Sequence, residues 1–428
     1  MNDKTLIIGL MISGLLTTAL LTHHADVALL MLPFLGYLGL GIFQSPVSEK
    51  IHLEAQRTVS KTNQDETIFV EVCVVVENKG SESVTLHLQE ALPETMEMTG
   101  GALNQWARLE PNKTTELSYS CRVIRGYFVW QTIQTVVCDP LGLIESRLQL
   151  PAEAEIQILP RTKKIKPFQM RPHSTLHSPG SIPAGLGGSG INFWGVREYH
   201  PGDSMRWMYW RLTARHPQKY FTKEFEQEEI AEIGLILDAR YKTELRRGEE
   251  SLFEYGIQAT ASLAEMFLHQ GHRVSLFVFG EKPKMVFPGY GKVQHQRIMK
   301  CLSRVKIGAE SGAMGYLDSL PIRVFPSRAL LILVSPLSSD DWMVFLRLRA
   351  AGYQVLLIVP DPIEFSYQTL PFDETTHLAV RAARIERQIK INKIKRLDIP
   401  VINWNVNQSL FPLLRHVLTR SNFSRRRG

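Results

Sequence analysis

Residues 190–229 read GINFWGVREYHPGDSMRWMYWRLTARHPQKYFTKEFEQEE, and the rest of the chain is interpreted outward from them. Charged and aromatic side chains are closely interleaved in this stretch. Aromatic rings at this density are expected to bury a large area, so the charges among them need partners. Arginine suits such pairing because its planar guanidinium group can bind a carboxylate with two hydrogen bonds. The stretch therefore predicts a compact, buried ionic network that joins the chain before it to the domain after it.

Many of these residues occur in an order that closely resembles the signature of the bacterial domain of unknown function 58 family. The resemblance extends upstream to residues 125–128 and 139–143, and downstream through the C-terminal half. It implies an architecture more than an activity, because the biochemical function of that family is poorly defined. The signature residues are Arg197, Glu198, Tyr199, Pro201, Gly202, Asp203, Arg206, Trp210, Arg215 and Glu224.

The 428 residues are enough for two or three domains, and the net charge of +7 is mildly basic. A basic chain sometimes contacts nucleic acid, but no recognised nucleic-acid motif accompanies the charge, so we expect no such partner. The four cysteines have neither CxxC pairing nor metal-like spacing. We expect reduced structural thiols. A disulfide among Cys73, Cys121 and Cys138 would require an oxidising compartment.

Residues 5–22 and 27–43 are two uncharged apolar runs separated by a short turn. Each run approaches the length that spans a bilayer as a helix, so residues 1–45 are predicted to form a transmembrane hairpin. A cleaved signal peptide is the alternative for the first run. The positive-inside rule places both ends, and the bulk of a multi-pass bacterial inner-membrane protein, in the cytoplasm. The cations used for this orientation are Lys4, Lys50, Arg57 and Lys61.

Residues 46–160 contain short segments rich in β-branched residues or alternating polar and apolar residues, at 67–76, 83–88 and 115–123. With frequent turns between them, they predict an all-β, immunoglobulin-like sandwich. Residues 161–189 are basic at first and then rich in Pro, Gly and Ser, which predicts a linker. The signature segment, 190–229, follows.

Residues 230–428 alternate apolar strands with helices, which predicts an α/β domain with a parallel sheet covered on both faces. The order resembles a von Willebrand factor A-like (Rossmann-type) domain, which the family also carries. The predicted strands are 233–238, 273–280, 329–335, 354–360 and 401–404. The predicted helices are 251–270, 293–305, 340–351, 373–396 and 410–419.

A von Willebrand factor A-like domain holds a divalent cation through an Asp-x-Ser-x-Ser motif after the first strand and a later Asp. Here the motif positions are Asp238, Arg240 and Lys242, and Ser335 follows the later strand without an aspartate. Two cations beside a divalent metal would repel it strongly, so we predict a degenerate site that binds no metal. Either Arg240 or Lys242 pairs with Asp238 and replaces the metal's charge, or both side chains point into solvent.

Nothing in the sequence marks a catalytic residue, since GxxxxGK[ST], HExxH and GxSxG motifs are all missing. Glu224, Glu226 and Glu228 would share one face of a strand. We expect them to meet Arg197, Arg206 and Arg215 rather than to act as catalytic carboxylates. His200 and His216 are expected to be structural or exposed.

These observations favour a membrane-anchored cytosolic scaffold or adaptor that is not an enzyme and needs no cofactor. The family resemblance implies a MoxR-type AAA+ ATPase as its partner in complex assembly or envelope maintenance. The alternative is a hydrolase-like enzyme with its site in residues 197–228. A basic nucleic-acid binder is a third possibility, and it would show a steep salt dependence.

Overall fold

The structure is a computed structural model that describes residues 3–43, 51–64, 67–138, 145–166, 176–248, 250–280, 283–308, 325–326, 329–337, 341–367, 369–371 and 373–419. The chain divides into two compact units, Met1–Ile158 and Leu159–Gly428. It is a mixed α/β protein with several sheets and an apolar N-terminal helix.

The N-terminal apolar region forms three helices: α1 (Asp3–Thr22), α2 (Ala25–Leu29) and α3 (Leu32–Phe43). Among the described residues, Lys4–Thr22 is the stretch that is long and apolar enough to cross a membrane, with a mean hydropathy of 2.0 and no buried part. The predicted helix over 27–43 is instead broken between α2 and α3. Pro33 explains the break, because proline has no N–H and is tolerated only in the first turn of a helix.

The rest of the first unit consists of two four-stranded antiparallel sheets, with strand orders β1-β2-β6-β4 and β5-β3-β7-β8. Alternate residues of β2, including Val70 and Val72, are buried together with Leu86 and Leu88 of β3. The three strands predicted from alternation are therefore present, and the sheets share one core. The strands are β1 (Leu53–Gln64), β2 (Thr67–Asn78), β3 (Val84–Gln89), β4 (Glu97–Gly101), β5 (Asn104–Leu109), β6 (Thr114–Val123), β7 (Gly126–Cys138) and β8 (Glu145–Ile158).

Arg57 is a buried residue of β1, and the use of its charge to set membrane orientation was wrong. Its side chain forms a buried ion pair with Glu90 and donates a hydrogen bond of 2.6 Å to the Ala152 carbonyl. The guanidinium group also lies 5.9 Å from the centre of the Trp130 ring. A cation buried in a folded core does not contribute to the charge that flanks a membrane span. The predicted orientation therefore rests on Lys4, Lys50 and Lys61 alone.

None of the four cysteines, all of which lie in the described part of the chain, forms a disulfide. Burial raises the pKa of Cys121 to about 11, as expected for a small residue in an apolar core rather than a reactive thiolate.

The second unit is built on a six-stranded sheet of order β15-β14-β11-β16-β17-β18, in which β14, β11, β16, β17 and β18 are parallel and β15 is an antiparallel edge strand. Its strands are β11 (Glu232–Asp238), β14 (Arg273–Phe279), β15 (Lys284–Gly289), β16 (Leu330–Val334), β17 (Gln354–Pro360) and β18 (Val401–Trp404). Its helices are α5 (Leu252–His269), α6 (Gly291–Ser303), α7 (Trp342–Ala350), α8 (Pro362–Tyr367), α9 (Glu374–Lys395) and α10 (Leu410–Thr419). The remaining elements of this unit are β9 (Leu176–Glu198), α4 (Trp210–Thr213), β10 (Phe221–Ile230), β12 (Arg246–Arg247) and β13 (Glu250–Ser251).

Helices cover both faces of this sheet. Leu235 of β11 lies in a core with residues of α5, α6 and α10, whereas Ile236 lies in a second core with Phe345 of α7 and Ile394 of α9. Burial on both faces explains why the strands are almost continuously apolar. The five parallel strands and the five helices predicted from the sequence are present, and β12, β13, β15 and α8 are additions.

The stretch predicted as a Pro/Gly/Ser-rich linker is partly a strand. Residues 176–189 belong to β9, which pairs with β10 in an antiparallel ribbon; residues 167–175 lie outside the described part of the chain. The pairing has several register shifts, for example between Glu224 and Phe225. A linker was inferred from the lack of apolar side chains, but strand pairing needs only main-chain N–H and C=O groups. The boundary at residue 190 is therefore not a structural one.

Candidate functional site: the carboxyl edge of the parallel sheet

The carboxyl ends of β11 and β16 bring the predicted site residues together. Asp238 ends β11, Arg240 follows two residues later, and Ser335 comes directly after β16. Because both strands are parallel neighbours, their carboxyl ends meet at one edge of the sheet, where ligands of open α/β sheets bind. All three side chains are buried.

The guanidinium group of Arg240 occupies the centre of this site. Its Nε and one terminal nitrogen donate hydrogen bonds of 2.9 and 2.7 Å to the two carboxylate oxygens of Asp238. The hydroxyl of Ser335 donates a hydrogen bond of 2.6 Å to Asp238 Oδ2. The sequence left open whether Arg240 pairs with Asp238 or points into solvent. In the structure it pairs with Asp238. The side chain of Lys242 lies outside the described part of the chain.

A second carboxylate, which the sequence analysis missed, completes the site. Asp341 lies immediately before α7 and accepts hydrogen bonds of 2.9 and 2.8 Å from the two terminal nitrogens of Arg240. No aspartate directly follows the later strand, as the sequence shows, but Asp341 reaches the site from six positions beyond Ser335. A sequence search limited to the residues next to the strand end could not find it.

The electrostatics of the site follow from this double pairing. Burial disfavours the charge of Arg240, but its hydrogen bonds to Asp238 and Asp341 outweigh this effect and raise its pKa above the ordinary value. The Arg240 guanidinium group also lies 5.6 Å from the centre of the Phe279 ring. A permanent cation thus holds two buried carboxylates in a fixed geometry.

These residues do not fit a divalent cation. The ligands that a hard cation would use are the oxygens of Asp238, Ser335 and Asp341, and both oxygens of each carboxylate accept hydrogen bonds from Arg240. Among the described residues, no cluster of three or more His, Cys, Asp or Glu side chains has a geometry suited to a metal. The prediction that the site binds no metal stays a prediction that a binding measurement can test.

A second, largely buried guanidinium group lies at the same edge of the sheet. Arg387 of α9 donates hydrogen bonds of 3.1 Å to the Pro360 carbonyl and 2.7 Å to Asn403 Oδ1, at the ends of β17 and β18. Its Nε is 3.5 Å from Asp361 Oδ2. Burial lowers the pKa of Arg387. Its position on the same helical face as the buried Ile391 and Ile394 was a signal in the sequence that we did not use.

The signature segment forms a separate ionic cluster on the β9–β10 ribbon. Arg197 donates two hydrogen bonds of 2.7 Å to the two carboxylate oxygens of Asp203, and its Nε lies 3.6 Å from Glu224. The hydrogen bond from Arg197, followed by one from the His200 amide, lowers the pKa of Asp203 to about 2. Gly202 has a φ of 108°, which explains why glycine stands before Asp203 in this turn.

Other signature residues are paired more loosely. Glu198 forms an ion pair with Lys219, which lowers the pKa of Glu198, and the amide of Tyr199 donates a hydrogen bond to the Tyr220 carbonyl. His200 and His216 are exposed, in keeping with the sequence expectation.

The expectation that this segment is buried was wrong. Phe193 and Trp210 each expose 61% of their surface, and Arg197 is itself only partly buried. Arg206 and Arg215, predicted to meet the acidic residues, are exposed. Aromatic density predicts burial only where a second layer covers the rings, and a two-stranded ribbon has no such layer of its own. The side chains of Glu226 and Glu228 lie outside the described part of the chain.

Part of this chain is similar to a known protein family. Residues 195–397 match the family described as Protein of unknown function DUF58. The matched segment includes Arg197, Asp203, Asp238, Arg240 and Arg387, so both ionic clusters lie within the part of the chain that is similar to this family.

The relatives found do not supply a function. The chain is 27% identical over 216 residues to the uncharacterized protein YeaD of Bacillus subtilis (strain 168), a match covering 50% of the chain and 52% of YeaD. The chain thus spans about half the length of that curated relative. Two structures, a putative ApaA protein from Bordetella pertussis and a FixG-related protein from Vibrio parahaemolyticus, are 20% and 15% identical. The two matches cover 27% and 24% of this chain and 100% and 95% of the matched chains. Their TM-scores are 0.17 and 0.16, which are too low to support an argument.

Proposed function

We propose that this protein is a membrane-anchored adaptor that recognises a protein partner through the surfaces of its α/β unit. The observation that carries the proposal is the position of Arg240 between Asp238 and Asp341. In an open α/β sheet, the carboxyl edge is where a catalytic metal or small ligand would bind. The buried guanidinium group of Arg240 and the largely buried one of Arg387 occupy that edge here, which favours recognition by exposed surfaces.

Helix α9 offers one such surface. Leu378, Ile385 and Ile389 are each more than half exposed. Their spacing of seven and four residues places them on one helical face, opposite the buried face of Val380 and Ile391. Apolar side chains aligned on an exposed helix face are typical of sites where another protein packs.

The finer identities are part of the same proposal. The strand order of the second unit supports a von Willebrand factor A-like domain, and the two sheets that share a core support an immunoglobulin-like sandwich in the first unit. The family resemblance supports a MoxR-type AAA+ ATPase as the partner, with the ATP chemistry on that partner. The apolar helix α1 supports attachment to the bacterial inner membrane, with the bulk of the chain in the cytoplasm.

Affinity purification from the native membrane tests the adaptor role. The detergent-solubilised full chain is recovered with and without ATP, and co-purified proteins are identified by mass spectrometry. We expect an AAA+ ATPase whose recovery depends on nucleotide. Replacing Ile385 and Ile389 by Glu is expected to abolish that recovery, whereas Gln388→Glu on the same helix keeps it. Recovery of the chain alone, where the ATPase is present and folded, contradicts the proposal.

The hydrolase-like alternative would need a carboxyl group poised to exchange protons near neutral pH. Asp203 has a pKa lowered by Arg197, so it is held as a carboxylate and is a poor general acid. No observation on residues 197–225 favours hydrolysis, and we advance no second function.

A further inference from the structure

The loop between β9 and β10, residues 199–220, has a defined shape. At its base, the amide of Tyr199 donates a hydrogen bond of 2.8 Å to the Tyr220 carbonyl. Two further hydrogen bonds join the loop to β10: the amide of Tyr209 donates one of 2.8 Å to the Phe221 carbonyl, and Thr222 Oγ1 donates one of 3.3 Å to the Trp207 carbonyl. The side chains of this loop are therefore presented on a fixed backbone.

Large apolar and aromatic side chains point outward from this loop. Trp207 packs edge-on against Phe225, with ring centres 5.3 Å apart, but still exposes 40% of its surface. Such a concentration of exposed rings is unfavourable in water and marks a surface that contacts something else. The exposed residues are Met205, Trp207, Trp210 and Tyr220.

The charges of the loop are unbalanced. It contains four cations, Arg206, Arg211, Arg215 and Lys219, and a single acidic residue, Asp203. Asp203 is already neutralised by Arg197, and Lys219 pairs with Glu198. Arg206, Arg211 and Arg215 are exposed, so the loop presents three guanidinium groups beside its aromatic rings.

We propose that the β9–β10 loop docks on an anionic membrane surface. Tryptophan and tyrosine prefer the membrane–water interface, because their rings are amphipathic. Arginine near that interface is attracted to the phosphates of anionic lipids, and each cation adds to the binding. The chain also contains α1, a candidate membrane span, which makes a lipid bilayer a relevant surface for this chain. The inference does not depend on the ATPase partner.

Tryptophan fluorescence in lipid nanodiscs tests this docking. The full chain is reconstituted through its N-terminal helices into discs of brominated phosphatidylcholine, alone or mixed with brominated phosphatidylglycerol. Bromine quenches only those tryptophans that touch the lipid. The first tryptophan of the chain is Trp106, so α1, α2 and α3 contribute no signal. We expect stronger quenching in the anionic discs than in the neutral ones, and loss of the difference at high salt.

Two variants, each with a matched control, test whether the tryptophans and arginines of the loop cause the extra quenching. Replacing Trp207 and Trp210 by Phe is expected to remove the extra quenching. The matched control Trp106→Phe, which removes an indole of 60% exposure from β5, keeps it. Replacing Arg211 and Arg215 by Gln is expected to remove the preference for anionic discs. The same loss of two exposed charges in α6, Lys292→Gln with Arg297→Gln, preserves the preference.

Either of two results would overturn the proposal. One is equal quenching of the wild-type chain in neutral and anionic discs, which is the outcome if the loop binds an acidic protein instead. The other is quenching that persists when Trp207 and Trp210 are replaced. Neither result bears on recovery of an ATPase by affinity purification, so the two proposals fail independently.

Discussion

Arg240 shows how one side chain can replace the ligand that a site would otherwise need. A divalent cation and a guanidinium group both satisfy two carboxylates, but the guanidinium group is part of the chain and is always charged. The carboxylates of Asp238 and Asp341 therefore have a charged partner as soon as the chain folds.

Removing this side chain is expected to be costly. Arg240→Ala leaves Asp238 and Asp341 buried without their cation, and breaking a buried pair in this way destabilises a protein by about 3–5 kcal/mol. Chemical denaturation of the purified chain measures the change. Arg246→Ala, which removes a side chain that is 75% exposed and paired with Glu244, serves as the control and should cost less than about 1 kcal/mol. Similar losses for both variants would mean that the buried network is not structural.

Arg240→Ser should convert the site into one that responds to divalent cations. It frees the oxygens of Asp238 and Asp341 beside two hydroxyls, a ligand set suited to Mg²⁺. We expect Mg²⁺ to raise the melting temperature of this variant and to leave the wild-type chain unchanged. Adding Asp238→Asn to Arg240→Ser should abolish the shift. A Mg²⁺ response of the wild-type chain that disappears in Asp238→Ala would contradict the assignment of a metal-free site.

The burial of His272 predicts that the second unit loses stability in acid. It is buried between α5 and β14, and burial lowers its pKa to about 4. Between the unfolded value near 6.5 and this folded value, the unfolded state binds the proton more readily, so stability falls as pH decreases through that window. The loss reaches about 3 kcal/mol below pH 4. The free energy of unfolding is measured by chemical denaturation at pH 7 and at pH 4.5. Its decrease between the two pH values should be smaller for His272→Gln than for the wild type or for the exposed control His269→Gln.

At the scale of elements, α9 depends on a defined first turn. Asp373 precedes the helix with extended backbone, and its side chain accepts a hydrogen bond of 2.8 Å from the Thr376 amide. Hydrogen bonding by the Thr376 side chain, followed by the Thr375 side chain and then by the Thr376 amide, lowers the pKa of Asp373. Because α9 carries both Arg387 and the exposed apolar face, its N-terminus supports the edge of the sheet and the proposed binding surface.

Loss of this cap has a measurable cost. Asp373→Ala removes the acceptor for the Thr376 amide and should destabilise the second unit by about 1 kcal/mol. Asp373→Asn keeps an acceptor in place and should remain close to the wild type. Hydrogen exchange of the α9 amides locates the effect, since faster exchange is expected in the first turn. Equal stability of the Ala and Asn variants would show that the cap contributes nothing.

At the scale of the whole molecule, the N-terminal helix is expected to decide where the chain resides. Deleting residues 3–22 removes an unburied apolar segment and leaves the described cores intact. The wild-type chain should stay in the membrane fraction after alkaline carbonate washing. The deletion variant should be released by high salt if the β9–β10 loop then supplies the remaining attachment. Release of the wild-type chain by carbonate would argue against a membrane span.

Several features of this protein follow from its sequence alone. The period-two burial of β2 and the continuous apolar strands β11, β16 and β17 are local consequences of side-chain pattern, so strand positions and the α/β class were predicted correctly. Asp238, Arg240 and Ser335 were found because they lie next to strand ends. The family signature was visible because its residues are close together in the chain.

The tertiary structure decided what the local pattern could not. Asp341 and Arg387 reach the edge of the sheet from distant helices, so their partners depend on how the helices pack. Arg57 changed from a presumed flanking charge to a buried one because Glu90 lies opposite it in the first unit. The rings of the signature segment are exposed because a two-stranded ribbon provides no covering layer. Composition determines which groups need partners, but only the fold determines which partners they find.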